Sequence, residues 1–306
     1  MMPAAHGMQT GPSGPVFFGW QAGRFQLDLA RPLVMGIVNV TPDSFSDGGS
    51  HADVSSALAH CEQLLSEGAD ILDIGGESTR PGSPAVPLEE ELRRVVPVIR
   101  EAVRLGVPLS IDTYKPQVMQ AVLDLGADIV NDIWSLRQPG AREVVAGHPR
   151  CGVCLMHMHR DPQTMQVAPM EGDAVAQAMD FLAEQVRQLQ ALGVAAERIV
   201  IDPGVGFGKT VEQNFALLAR QQAFAQLGFP ILAGWSRKSA LGAVTGLAEA
   251  SQRALPSVVA AVLAADRGAR VLRVHDVRET VQGLAVWSAM QAQTAAARSQ
   301  QQEPDT

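Results

Sequence analysis

Eight apolar runs punctuate the chain, at residues 33–40, 69–75, 108–113, 129–133, 152–158, 198–203, 230–235 and 270–276. Each spans five to eight residues, is rich in Val, Ile and Leu, and reads as a buried strand. Between the runs the apolar period changes. Val54, Ala57, Leu58, Cys61, Leu64 and Leu65 recur at helical spacing, with Asp53 placed to cap that helix and Gly68 to end it. Leu92, Val95, Val96, Ile99 and Val103 form a second stripe, crossed by Pro97, where a kink is expected. Further helices are expected at 174–192, 212–227, 253–266 and 279–297. Alternating strands and helices imply right-handed parallel crossovers, and eight such units imply an α/β fold closed as a (β/α)8 TIM barrel. An open doubly wound sheet would need a glycine-rich turn after its first strand, and the sequence has none there. Residues 16–29, turning at Gln21-Ala22-Gly23-Arg24, read as a β-hairpin ahead of the barrel. The expected organisation is a disordered tail over 1–15, one barrel domain over 16–298 and a second disordered tail over 299–306.

The apolar runs share one feature: each closes on polar residues. The closing residues are Asn39, Asp73, Asp112, Asn131-Asp132, His157 and Asp202, then Lys238 after the seventh run and Arg273, His275 and Asp276 on the eighth. The C-terminal strand ends of a barrel converge on one face, where active sites sit. Strand alternation puts Asn39 on the side of Ile37, Asp112 with Ser110, Asn131 with Ile129, Asp202 with Val200, and His275 with Arg273. A single Asp or Asn after a strand is as readily a helix cap. Convergence of so many, with carboxylates opposite bases, points to one shared pocket.

Composition narrows the setting. With 306 residues, 46% of them hydrophobic and 18% charged, the chain can bury a large single core. A net charge of −8 argues against a nucleic-acid surface. The N-terminus lacks the basic start and apolar run of a signal peptide, and no window suggests a membrane span. Three cysteines fit a reducing, cytoplasmic setting rather than a disulfide framework.

Two motifs compete for attention. Cys151 and Cys154 form a C-x-x-C pattern with His157 and His159 nearby, which suggests zinc or redox chemistry. On a strand, however, residues three apart face opposite sides about 10 Å apart, which favours core packing. The run Gly204-Val205-Gly206-Phe207-Gly208-Lys209-Thr210 looks like a phosphate loop, but Pro203 stands where the Walker pattern needs its first glycine. The glycines are expected to let the loop pass close to a flat ligand with Phe207 beside it; the alternative is an exposed flexible loop.

Taken together, the motifs resemble a known family. They are Met35-Gly36-Ile37-Val38-Asn39-Val40-Thr41-Pro42-Asp43-Ser44-Phe45-Ser46-Asp47-Gly48-Gly49, then Asp73-Ile74-Gly75-Gly76-Glu77-Ser78-Thr79-Arg80-Pro81-Gly82. Ser110-Ile111-Asp112-Thr113, Asn131-Asp132-Ile133, Asp202-Pro203-Gly204, Ser236-Arg237-Lys238-Ser239 and Arg273-Val274-His275-Asp276-Val277 follow in order. From about residue 33 to 290 the chain resembles the dihydropteroate synthases of folate biosynthesis. These transferases condense 6-hydroxymethyl-7,8-dihydropterin pyrophosphate with p-aminobenzoate and are the target of sulfonamides.

The resemblance implies roles. Asp112, Asn131, Asp202 and Lys238 would hold the pterin edge, with Met156, Phe207 and the stem of Arg273 against its faces. Asn39, Thr79, Arg80, Arg273 and His275 would hold the pyrophosphate, with Mg2+ as cofactor on Asn39. Phe45, Ser78, Thr79, Pro81, Lys238 and Ser239 would form the p-aminobenzoate and sulfonamide site. Two mobile loops, around Phe45 and Thr79, would close over it. Asp47, Arg80, Arg273 and His275 are the expected catalytic residues. The implied partners are the two small-molecule substrates, with neither nucleic acid nor membrane, and a second copy forming a homodimer through the last helices, where Leu284, Val286 and Trp287 lie. A pterin-dependent methyltransferase and a non-catalytic pterin-binding paralogue are the competing readings. The first does not need the Thr79-Arg80-Pro81-Gly82 loop, and the second predicts loss of a loop residue or of Lys238. Two departures from the pattern stand near the pocket: His159-Arg160 replaces the usual Gln-Gly, and Trp235 is bulkier than expected.

Overall fold

The structure is a computed structural model. It describes residues 19–40, 51–78, 82–161, 164, 165, 167 and 169–301. A two-stranded antiparallel hairpin, β1 (Gly19–Ala22) and β2 (Phe25–Asp28), precedes the eight parallel strands. These are β3 (Leu33–Asn39), β4 (Ile71–Gly75), β5 (Leu109–Asp112), β6 (Ile129–Asp132), β7 (Gly152–Met156), β8 (Ile199–Asp202), β9 (Ile231–Ala233) and β10 (Ala269–Val274). Each pairs with the next and β10 pairs with β3, so the sheet is a closed barrel without edges. All eight fall inside the runs expected from the sequence, with one change: β10 begins at Ala269, one residue ahead of its run.

The intervening helices are α1 (His51–Ser66), α2 (Leu88–Ala102), α3 (Pro116–Asp124), α4 (Ala141–Gly147), α5 (Ala174–Ala191) and α6 (Val211–Ala219). Two helices, α7 (Ser239–Thr245) and α8 (Ala254–Asp266), separate β9 from β10, and α9 (Val277–Gln301) closes the chain. Their starts have local causes. Asp173 accepts from the N–H groups of Val175 and Ala176 to cap α5, and Thr210 with Gln213 forms a capping box on α6. Some expectations need correction. Helix α1 begins at His51, so Asp53 lies in its first turn rather than at its cap. Helix α2 runs unbroken through Pro97. Helix α9 continues to Gln301, because the Ala- and Gln-rich sequence after Met290 has no breaker, so residues 299–301 are helical rather than tail. Residues 1–18 and 302–306 lie outside the described set.

Two apolar layers hold the barrel. The outer one packs Val34, Val38, Ile74, Ile111, Val130, Val153 and Ile201 against the helices. The inner one fills the lower barrel with Met35, Ile71, Ile129, Cys154, Val200, Leu232 and Val271, and the hairpin plugs it from below with Trp20, Ala22 and Leu29. Trp20 is fully buried and donates its ring N–H to the Arg198 carbonyl at 3.0 Å. That burial stabilises by up to about 4 kcal/mol. Asp128 locks the plug, accepting from Arg24 N, Nε and Nη2 at 2.9–3.0 Å. Cys151 belongs to the outer layer and Cys154 to the inner one, and both are free, so the C-x-x-C pair is core.

Candidate active site

One residue pair above the inner apolar layer, the inward-facing side chains turn polar. Ile129 is followed by Asn131, Val200 by Asp202 and Val271 by Arg273, each two residues on and on the same face. They open into a cavity of about 290 Å3 at the C-terminal strand ends. Asn39, Ser78, Asp112, Asn131, Met156, Asp202, Phe207, Lys238, Ser239, Arg273 and His275 all line it, as expected. Phe45, Asp47, Thr79, Arg80 and Pro81 lie outside the described residues.

The floor is an ion-pair network built by barrel closure. Arg273 donates through Nε to Asp73 Oδ2 and through Nη2 to Asp112 Oδ2, both at 2.6 Å. Asn131 Nδ2 donates to Asp73 Oδ2 at 3.2 Å. Asp73 Oδ1, Asp112 Oδ1 and Ser110 Oγ are buried with no hydrogen-bond partner among the described residues. Buried acceptors without donors are costly, and Asp112 Oδ1, the one of the three on a cavity-lining residue, suits a ligand that brings N–H groups. Asp202 Oδ1 accepts from Gly204 N at 2.7 Å.

Electrostatics follows from burial. Burial pushes the Asp112 carboxyl up to about 7; Arg273 pulls against this and Asp73 adds to it. Burial also raises Asp202, against the Gly204 N–H and Lys238. Burial opposes the charge on Arg273, but Asp73 and Asp112 hold it above its ordinary value. The two ends of the pair thus shift in ways that do not match. Arg273 faces several carboxylates, while Asp112 shares one guanidinium with Asp73, so proton exchange falls on Asp112. Burial lowers Lys238 to about 8, with Arg273 adding repulsion. Its ammonium lies 4.2 Å from the Phe207 ring centre.

The wall is apolar: Ile133, Met156, Met165 and Phe207 line it, packed with Met158, Tyr114 and Trp134. The glycine-rich loop carries Phe207 and brings Val205 and Gly206 to the cavity as well, while Gly204 and Gly208 close on the protein. Gly204 has φ of 73°, and a Cβ there would sit 1.8 Å from the His157 carbonyl oxygen. Lys209, 2% exposed, fills the loop's centre and donates to the carbonyls of Gly204, Phe207 and His157 at 2.8, 3.1 and 3.4 Å. Burial lowers it to about 7. The loop is therefore neither an exposed flexible segment nor a phosphate cradle.

Four polar strand-end residues do not line the cavity: Asp73 lies buried beneath it, Asp276 is held by Arg237, and Asp132 and His157 turn away. Asp132 turns outward and accepts from Trp134 N and Leu136 N, both at 2.7 Å, which closes the turn after β6. His157 also turns outward, edge-on to Phe181 at 5.3 Å. The two departures do not touch the cavity: Trp235 is buried against Phe215, and His159 packs on Gly208. Residues without an assigned role also line it, notably Glu77, Met165, Ser236, Arg237 and Arg253. Glu77 is held by Tyr114 OH at 3.0 Å and by Lys115, which also bonds Glu91. Glu77, Ser236 and Arg237 stood inside the family motifs, which was the available signal; Met165 and Arg253 carried none.

Comparison with known proteins agrees with this geometry. The family model described as pterin binding enzyme matches residues 35–275. A dihydropteroate synthase of Neisseria meningitidis serogroup B is 49% identical over 276 residues, covering 89% of this chain and 97% of its own. A Xanthomonas albilineans dihydropteroate synthase solved with 4-aminobenzoic acid superposes with TM-score 0.85 at 51% identity, over 90% of this chain and 98% of that one. A Burkholderia cenocepacia dihydropteroate synthase solved with 7,8-dihydropteroate gives TM-score 0.82 at 51% identity, over 92% and 98%. This chain belongs to the pterin-binding enzyme family and, within it, to the dihydropteroate synthases.

Proposed function

We propose that this protein condenses 6-hydroxymethyl-7,8-dihydropterin pyrophosphate with p-aminobenzoate, giving 7,8-dihydropteroate and pyrophosphate. One observation carries the reading: Asp112, Asn131, Asp202 and Lys238 converge on an apolar-walled cavity that Asn39, Arg273 and His275 also line. The aminopyrimidinone edge offers adjacent N–H donors and a carbonyl. The carboxylates of Asp112 and Asp202 accept from the donors, Asn131 does both, and Lys238 donates to the carbonyl. Met156 and Phe207 flank the ring.

The reaction breaks the C–O bond to pyrophosphate and forms a C–N bond to the arylamine, which then loses one proton. Early C–O cleavage leaves a cation at the exocyclic methylene, delocalised into the pterin. Arg273, His275 and Arg80 offset charge on the leaving pyrophosphate. The neutral arylamine needs no strong base before attack; Asp47 stabilises the cation or takes the released proton. Phe45, Thr79 and Pro81, with Ser78 and the Lys238 stem, hold the arylamine ring, and Ser239 its carboxylate. Closure of the loops around Phe45 and Thr79 excludes water from the cation.

Mg2+ is tested against the donor set. Among the described residues no group of three His, Cys, Asp or Glu side chains is placed for a metal. Asn39 offers a hard, neutral oxygen in the cavity lining. That fits an ion that takes most ligands from pyrophosphate and water. Bound this way, Mg2+ would neutralise leaving-group charge.

Exposed Leu255, Val259 and Leu263 on α8 and Val286 and Met290 on α9 support a homodimer through these helices. Leu284 packs on the barrel and Trp287 donates to Asp266, so of the three residues expected there Val286 alone is outward. No described helix is long and apolar enough to cross a membrane. A cytoplasmic location is part of the proposal.

The test is pyrophosphate release with and without p-aminobenzoate, with dihydropteroate measured alongside. Release that needs the arylamine, and that a sulfonamide inhibits competitively, supports the synthase. Pterin binding without release would indicate a binding module, and would refute it.

A further inference from the structure

The exits of β9 and β10 are joined at two successive positions. Ser236 Oγ lies 2.9 Å from His275 Nδ1, and the His275 backbone N–H donates to the same oxygen at 3.1 Å. One residue on, Arg237 donates to both oxygens of Asp276, at 3.2 and 2.6 Å. Arg237 holds a left-handed φ of 58°, and its own N–H donates to Ser257 Oγ at 2.8 Å. This second link fixes the height of one turn against the other. The Ser236–His275 contact is therefore set by the barrel rather than by a free loop.

We infer that Ser236 is a positioning residue: its hydroxyl holds His275 as the neutral imidazole with the proton on Nε2, so the ring presents an N–H to the leaving pyrophosphate. The balance of donors and acceptors decides the tautomer. A hydroxyl has one hydrogen and two lone pairs. The His275 backbone N–H occupies one lone pair. Ser236 is 7% exposed, and Nδ1 is the acceptor its hydrogen meets. With the hydrogen directed at Nδ1, both the serine hydrogen and Nδ1 are satisfied. With the proton on Nδ1 instead, the serine hydrogen would be buried without an acceptor, a state native proteins rarely tolerate. That tautomer would also turn an Nε2 lone pair toward an anion, and two acceptors repel. The position of a histidine proton is set in this way by the bond its other nitrogen makes. The inference rests on the reading of His275 as a leaving-group contact and adds the group that sets its protonation site.

The experiment is long-range proton–nitrogen correlation on the full-length protein labelled with 15N-histidine. There are seven histidines, and His275 is assigned by the signals lost in His275→Gln. The expected wild-type pattern has a pyrrole-type Nε2 and a pyridine-type Nδ1. In Ser236→Ala the two His275 nitrogens should average toward each other while the other six histidines stay put, which shows the fold is kept. In kinetics, Ser236→Ala should lower kcat/KM for the pterin pyrophosphate about ten- to a hundredfold. Affinity for the pterin alcohol, which lacks pyrophosphate, should not change, and Ser236→Thr should restore the wild-type spectrum. A proton on Nδ1 in the wild type, or an unaltered His275 spectrum in Ser236→Ala, would overturn the assignment. Unchanged kinetics in His275→Gln would instead remove the leaving-group role of the histidine, and the spectrum would still decide the tautomer.

Discussion

Replacing Asp112 with Asn should weaken pterin binding and remove a pH dependence of stability. Asp112 gives one oxygen to Arg273 Nη2 at 2.6 Å and leaves the other buried without a partner among the described residues. An amide keeps one acceptor and adds two donors. Whichever way it turns, its NH2 faces either Arg273 or the pterin N–H. With the NH2 kept on the pterin side, one bond to the ligand is lost and two donors are set against each other, costing about 3 to 4 kcal/mol, or two to three powers of ten in pterin affinity; with it turned to Arg273, the cost falls on the fold. Stability behaves differently. The carboxyl is raised from 3.8 to about 7 by burial. Across that window the folded protein keeps a proton the unfolded chain has released, so this group's stabilisation is full below about 3.8 and is lost as pH rises through about 7. Between pH 5 and 7 the loss is about 1.4 kcal/mol per unit, or about 3 kcal/mol. An amide does not titrate, so that slope vanishes. Relative to wild type, Asp112→Asn should gain about 3 kcal/mol between pH 5 and pH 8, about 5 °C in Tm for a chain of this length. Calorimetric titration with 6-hydroxymethylpterin measures the first effect and thermal unfolding at the two pH values the second. Pterin affinity within tenfold of wild type, or an unchanged pH slope of Tm, would refute the reasoning.

Other outcomes follow from single contacts. Gly204→Ala should cost about 3 kcal/mol or more, because its Cβ would sit 1.8 Å from the His157 carbonyl oxygen; Gly246→Ala, with φ of 74° and open space, should cost about 1 kcal/mol. Denaturant unfolding compares them, and equal losses would contradict the steric argument. Lys209→Met removes the donor to the Gly204, Phe207 and His157 carbonyls and should destabilise by about 3 kcal/mol, with a rise in pterin Kd as Phe207 shifts. A loss under about 1 kcal/mol by denaturant unfolding would show that the loop does not depend on it. Leu255→Glu combined with Val286→Glu should turn a dimer into a monomer by sedimentation with kcat retained; an unchanged mass would place the interface elsewhere. Asp47→Ala should lower kcat more than pterin affinity, and unaltered turnover would remove its proposed role.

What could be read from the sequence divides along a physical line. A strand alternates with period two, so Asn131 and Asp202 could be assigned inward from Ile129 and Val200 alone. The same rule, carried to the strand ends, assigns Asp132 and His157 outward, since each follows an inward residue, Asn131 and Met156. Both do turn out, Asp132 to the backbone of the turn after β6 and His157 to Phe181. Parity thus separates Asn131 and Asp202 from Asp132 and His157, although all four are polar strand ends. Lys209 is a different matter. Lysine is ordinarily exposed, and nothing local announces that three carbonyls will gather around it. That arrangement needs the left-handed turns at Gly204, Gly206 and Gly208 and the approach of β7, which is tertiary information.

The partners of Asp73 show where local pattern ends. As the polar end of β4 it was legible; as the anchor of Arg273, two hundred residues away, it was not. Those residues meet because β10 pairs with β3, and β3 with β4, so the last strand lies one strand from the second. In an open sheet, β10 and β3 would stand at opposite edges and Asp73 would be a buried carboxylate without its guanidinium, a state costing several kcal/mol. The sequence that places Asp73 at the end of one buried strand and Arg273 on another is therefore compatible with closure and hostile to an open sheet. The pterin floor and the closed barrel are one requirement, met by the same two residues.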